Sequence, residues 1–266
     1  MTTNRAPAYR IRGRTAHRAL RALRPVERVC VLVGGLLVVS GLVHLGVFAV
    51  DGGPWTGPVS WRKPVTFGLS FGVTLLAVAW VASYLRVGER TRAVVLGLFA
   101  ADCVLEVGGI TLQAWRRRPS HLNMETSFDS AVSMSLAVGG GLLVVLLTVL
   151  AVASFRQRPA GPAGMALALR AGFAILLVGL VSGAVMIARG VVLTRTGHQL
   201  DAYASTAVLK PLHGVSLHAV LVLPALAWLM AARTAWREDV RERVVRGGVW
   251  VYGAAVAGAA AWGFLA

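Results

Sequence analysis

Continuous apolar runs decide what this chain can become. Seven of them lack strand-like alternation, and each approaches the ~20 residues that carry a helix across a hydrocarbon core. They lie at Val29–Val50, Pro64–Leu85, Ala93–Trp115, Ala131–Phe155, Met165–Ala188, Leu212–Ala232 and Gly247–Ala266. In an apolar slab an unpartnered backbone N–H or C=O is costly, so such runs fold as helices. The expected fold class is all-α: a polytopic bundle of seven transmembrane helices over residues 29–266, after an arginine-rich tail over residues 1–28. Composition agrees, with 56% hydrophobic and 14% charged residues, against about 25% charged in a soluble domain. Soluble enzymes, secreted disulfide scaffolds and disordered chains are excluded. Cys30 and Cys103 both fall inside apolar runs and have no metal-type spacing.

The net charge of +16 would point to nucleic acid in a soluble protein. Here the basic residues collect between apolar runs, where they orient a membrane protein instead. Of the 27, 18 lie in the N-terminal tail and the second, fourth and sixth connections, against 8 in the first, third and fifth. That bias predicts a cytoplasmic N-terminus and an extracytoplasmic C-terminus. Val29–Val50 is too long for a signal-peptide core and has no small-residue cleavage site, so it reads as a retained first helix. Heavy use of Ala, Val, Gly and Arg, with Lys63 and Lys210 the only lysines, suggests a GC-rich bacterial source and hence a bacterial plasma membrane.

Ionisable residues inside the spans carry the functional expectation, because each costs at least ~2.5–3.5 kcal/mol near the bilayer centre. His44, Glu106 and His218 stand on three spans at a common depth, roughly 9–14 Å below the outer surface at 1.5 Å per residue. Neutral imidazoles with a carboxylate suit zinc or non-haem iron, and two histidines on facing helices suit a haem. The leading expectation is an outer-facing metal or haem site for redox or hydrolytic chemistry, with His44, His121, His213 and His218 as ligands. Glu106, Asp102 and Ser70 are the catalytic candidates, and the substrate is small or lipid-like. Lys63, Gln113, Arg116 and Asn123 would orient that substrate at the mouth.

The spacing adds detail. Asp102, Glu106 and Gln113 share one helix face, whereas His213 and His218 are about 140° apart and form no one-faced metal pair. The alternative is a proton-coupled transporter or small-molecule-binding protein using the same residues without metal. A third possibility is a partner subunit of a larger assembly. The partners expected are the lipid bilayer and a small ligand, with no nucleic acid. A retinal protein is excluded, since the seventh span has no lysine. Seven-helix zinc hydrolases of the alkaline-ceramidase type carry H-x-x-x-H in a late helix, while His213 and His218 here give H-x-x-x-x-H. Glycines such as Gly139, Gly140, Gly141, Gly179 and Gly183 read as close helix packing.

Three fragments carry a closer resemblance. They are Lys63-Pro64 with Phe67 and Ser70; Gln113-Ala114 with Arg116, Ser120, His121 and Asn123; and His213 with Leu217-His218 and Leu223-Pro224. Together they make the chain resemble a group of uncharacterised bacterial polytopic membrane proteins. Leu122 departs from that group, which has an aromatic residue there. The resemblance implies a membrane location and a shared outer-face site, and no particular reaction.

Overall fold

The structure is a computed structural model that describes residues 23–265; the rest of the arginine-rich tail and Ala266 lie outside the described residues. Its helices are α1 (Pro25–Asp51), α2 (Arg62–Ala82), α3 (Glu89–Trp115), α4 (Ser127–Arg156), α5 (Met165–Arg195), α6 (Gln199–Ala204), α7 (Lys210–Arg233) and α8 (Glu238–Leu265). All but α6 are long and apolar enough to cross a membrane, which makes this a multi-pass membrane protein by helix length and composition. The described residues contain no strand. Large aliphatic side chains such as Leu32, Leu36, Val138 and Val181 point outward, as lipid contact demands.

The helices differ from the apolar runs at their ends, for local reasons. The chain over Arg233–Arg246 reads as a connection, yet α8 already begins at Glu238. Glu238 and Asp239 sit in its first turn, where the helix dipole favours acids, and Arg243–Asp239 and Arg246–Glu242 pair one turn apart. At α2 the opposite holds: the helix stops at Ala82, short of Leu85. Buried Arg92 reaches across to the Ala82 and Leu85 carbonyls (2.5 and 2.9 Å) and closes the turn. The short helix α6 has no counterpart among the apolar runs.

Contacts between connections establish the up-down arrangement. Asp51 at the end of α1 meets Arg117 after α3, and Leu122 in the same α3–α4 connection accepts a hydrogen bond from Gln199 of α6. The first, third and fifth connections therefore share one end, called here the Asp51 end. At the opposite end Arg24 bridges Glu27 and Glu89 (3.0 Å each), and the Ala160 amide bonds the Tyr84 carbonyl.

Two helix pairs approach backbone to backbone. On α1 and α2, a Cβ at Gly68 would lie 2.8 Å from the Gly41 Cα, and one at Gly72 would lie 2.7 Å from the Gly34 carbonyl. On α5 and α7, a Cβ at Gly172 would lie 3.0 Å from the Val220 Cα. Lipid tails are as apolar as leucine, so helices gain from this closeness through dispersion rather than water release. The interior between the pairs is filled by Leu75, Val78, Leu96, Phe99, Leu150, Leu169 and Phe173. α8 is peripheral; among its residues only Val245 and Gly263 are buried, and Tyr252 ties it to the Val215 carbonyl of α7.

Gly68→Ala places a methyl against backbone that cannot rotate away. It is expected to destabilise the fold by about 1–3 kcal/mol. Gly97→Ala, which enters open space on α3, is expected to leave stability unchanged. Detergent-solubilised unfolding curves of the two variants check this.

Candidate functional site

The shared face of α3 turns toward α4. Asp102 and Glu106 are buried against Gly139, where a Cβ would lie 2.6 Å from the Asp102 Oδ1 and 3.0 Å from the Glu106 Oε1. Farther along, Gly109 meets Leu136 and Gln113 meets Asp129. Asp129 organises the Asp51 end of this interface. Its carboxylate accepts from Gln113 (2.9 Å), Arg116 (2.6 Å) and the Thr126 hydroxyl (2.8 Å), and its own amide donates to Thr126, the N-cap of α4. Arg116 also donates to the Gln113 side chain and stacks on Phe128. Gln113 and Arg116, expected at a substrate mouth, are therefore engaged in locking α3 to α4. Asn123 is likewise structural: it donates to the Pro119 carbonyl and accepts from the Glu125 amide, while Ser133 bonds its backbone.

The four candidate metal histidines stand apart. In His44, Nδ1 donates to the Ser40 carbonyl (2.7 Å) and Nε2 accepts from the Trp115 indole (3.1 Å), so both nitrogens are engaged. Trp61 packs beside both rings, donates to Asp51, and is covered by the Arg117 guanidinium. His44 thus belongs to an aromatic cluster that fastens α1, α2 and α3. His213 donates through Nδ1 to the Gly179 carbonyl of α5 (2.8 Å), its ring over Gly183. His218 is exposed and bonds the Gly214 carbonyl of its own helix (2.6 Å). No group of three or more His, Cys, Asp or Glu side chains placed to hold a metal exists among the described residues. The common depth of His44, Glu106 and His218 is not a common site: the three face different neighbours around the bundle. This donor set fits neither a metal nor a haem. Ser70, a catalytic candidate from the sequence, donates to the Phe67 carbonyl of its own helix (3.4 Å).

His121 and Lys63, by contrast, meet. Lys63, in the first turn of α2, points its ammonium at the Ser120 hydroxyl (3.5 Å), which in turn bonds Nδ1 of His121 (2.9 Å). The His121 ring lies against Phe67, one turn further along α2. Arg62 and Lys210 stand within electrostatic reach of Lys63, with Arg62 steadied by the Trp55 carbonyl. No acidic side chain pairs with Lys63 among the described residues. The connection bearing His121 is held in an uncommon conformation, with Arg117 and Leu122 at φ of 56° and 58°. Non-glycine residues at positive φ persist only where surroundings enforce them. Here Leu122 is buried against Gly190 of α5 and its carbonyl is taken by Gln199 (2.9 Å). That pins the loop between α2 and α5 and turns His121 toward Lys63. The Lys63–Ser120–His121 contact joins the first two fragments of the sequence resemblance; Lys210, three residues before the third, carries no motif that marks it in the sequence.

No family model, curated protein or solved structure matches the chain.

Burial, and then the Lys63 ammonium, push His121 down to about 3 from its ordinary 6.5. Its imidazole therefore stays neutral in the folded protein where the unfolded chain would take up a proton. Folding is weakened progressively as pH falls from about 6.5 to 3, since the unfolded state binds more protons there. His121→Asn is expected to flatten stability against pH in that window, and Lys63→Met to move the His121 titration upward. Histidine-selective NMR on the wild type and both variants measures this.

Proposed function

We propose that this protein binds a small anionic ligand, carboxylate- or phosphate-bearing, in a cation-lined recess at the Asp51 end of its helix bundle. The carrying observation is the unpaired Lys63. An ammonium half-buried among helices, with only a serine hydroxyl at hydrogen-bond distance and two further cations nearby, lacks its countercharge. Buried charges are normally paired, and an anion supplied from outside completes the set. Neutral His121 adds a hydrogen-bonding nitrogen, and Phe67 an apolar wall.

The positive-inside bias supports placing the recess on the extracytoplasmic side of a bacterial plasma membrane, with the N-terminus in the cytoplasm. Lys63, Ser120, His121, Arg62 and Lys210 would be the ligand-binding residues. Gln113, Arg116 and Asn123 would hold the loop that presents Ser120 and His121. The acidic residues lie elsewhere, so the recess attracts and holds an anion through Lys63 and its neighbouring cations, with Ser120 and His121 as hydrogen-bonding groups. Binding, in a transporter or a receptor, suits this arrangement better than catalysis.

Calorimetric titration of the purified full chain with inorganic phosphate, succinate and a short-chain phosphatidic acid tests the reading. Saturable binding of at least one probe is expected. It should weaken at least tenfold in Lys63→Met, a loss of about 1.4 kcal/mol or more, and fall less in Lys210→Met. His44→Ala should bind normally. Added salt should compete, because the attraction is between charges. Binding of the phosphatidic acid alone would assign a lipid headgroup, and binding of a free anion a soluble ligand. No saturable binding, or affinity unchanged in Lys63→Met, overturns the proposal.

A further inference from the structure

Asp102 is the midpoint of α3, thirteen residues from Glu89 and thirteen from Trp115. Glu106 is one turn nearer the Asp51 end, on the same face. Both are 4% exposed. The Asp102 Oδ1 and the Glu106 Oε1 close around the bare backbone of Gly139, and the Asp102 Oδ2 is buried without any hydrogen-bond partner. Nothing in the anion recess uses either side chain.

Among the described residues the surroundings supply no cation. On α3 itself the neighbouring ionisable group is Cys103, and on α1 it is Cys30, whose thiol faces the Leu96 carbonyl. The face of α4 offers Gly139, and its one acid, Asp129, is held at the Asp51 end by Gln113, Arg116 and Thr126. The α2 cations Arg62 and Lys63 are at that same end, against the Trp55 carbonyl and Ser120, and Arg92 at the other is bonded to the Ala82 and Leu85 carbonyls beside Glu27. Of the α5 arginines, Arg170 donates to the Ser154 and Gln157 carbonyls where α4 ends, while Arg189 and Arg195 belong to the last two turns of the helix, at the Asp51 end.

Two negative charges one helical turn apart, at mid-bundle and with no countercharge, repel strongly and lack solvation. A hard metal ion would relieve them but needs six or more oxygen ligands, and two carboxyls with apolar neighbours cannot provide that shell. A proton needs only two oxygens. We infer that Asp102 and Glu106 form an intramembrane proton-binding site, a carboxyl pair that shares protons and exchanges them with water. Uptake of a proton converts one carboxylate into a carboxylic acid that donates to the other, with no other bond changed. The unbonded Asp102 Oδ2 leaves the proton a second place to sit, so no fixed acceptor locks it in. The pair titrates as a unit. Gly139 is the positioning residue, because any side chain there would push between the carboxyls.

Infrared difference spectroscopy of the full chain in lipid reads this site separately from anion binding. At neutral pH the wild type should show a protonated-carboxyl C=O stretch that shifts in D2O, proving exchange, and diminishes at high pH. Asp102→Asn with Glu106→Gln should abolish it, Asp129→Asn should retain it, and Gly139→Ala should shift it. The wild-type titration alone decides if a variant fails to fold. Absence of the band at neutral pH, persistence in the double variant, or failure to exchange in D2O overturns the inference.

Discussion

A polar side chain inside an apolar slab has to find its partner within the protein, since water is not there to supply one. Much of the architecture follows from how that demand is met. Asp129 gathers Gln113, Arg116 and Thr126, and in doing so sets where α3 and α4 end relative to one another. His44 engages Ser40 and Trp115, drawing α1 against α3. His213 reaches the Gly179 carbonyl across the α5–α7 contact. In each case a group that looks reactive in isolation is neutral or neutralised, hydrogen-bonded, and fixed.

Against that background the unmet demands become informative. Among the described residues Lys63 has a hydroxyl but no acid, and the Asp102–Glu106 pair has no cation. The two sites are of opposite sign and lie at different levels, one at a bundle end beside the polar connections and one at mid-helix. The glycine contacts shape both neighbourhoods: Gly139 leaves room for the carboxyls, and Gly41, Gly68 and Gly72 bring α1 and α2 together.

Much of this was legible in the residues, with specific exceptions. The face formed by Asp102, Glu106 and Gln113 is a consequence of helical periodicity, and it is indeed one face in the structure. The packing role holds at Gly139, Gly179 and Gly183, whereas Gly140 and Gly141 face open space, because which side of a helix meets a neighbour is a tertiary matter. The common depth of His44, Glu106 and His218 misled, since depth along a helix says nothing about azimuth. His218 differs from a buried group by rotation alone, and rotation is set by which neighbours α7 acquires. The substrate-binding candidates divided similarly: Gln113 and Arg116 are held by Asp129 of the next helix, a pairing that spacing along one helix does not encode.

The sequence by itself determined the class of fold, the number of long apolar helices and their approximate limits. These depend on local hydrophobicity and on backbone hydrogen bonds that each segment satisfies alone. Partnership was decided only by tertiary structure. Two strained residues, Arg117 and Leu122, and the packing of Leu122 against Gly190 turn one loop so that His121 meets Lys63. A glycine on one helix admits two carboxyls from another. Such meetings join residues far apart in the chain, and their geometry is set by how helices rotate and close on each other, which no local pattern encodes.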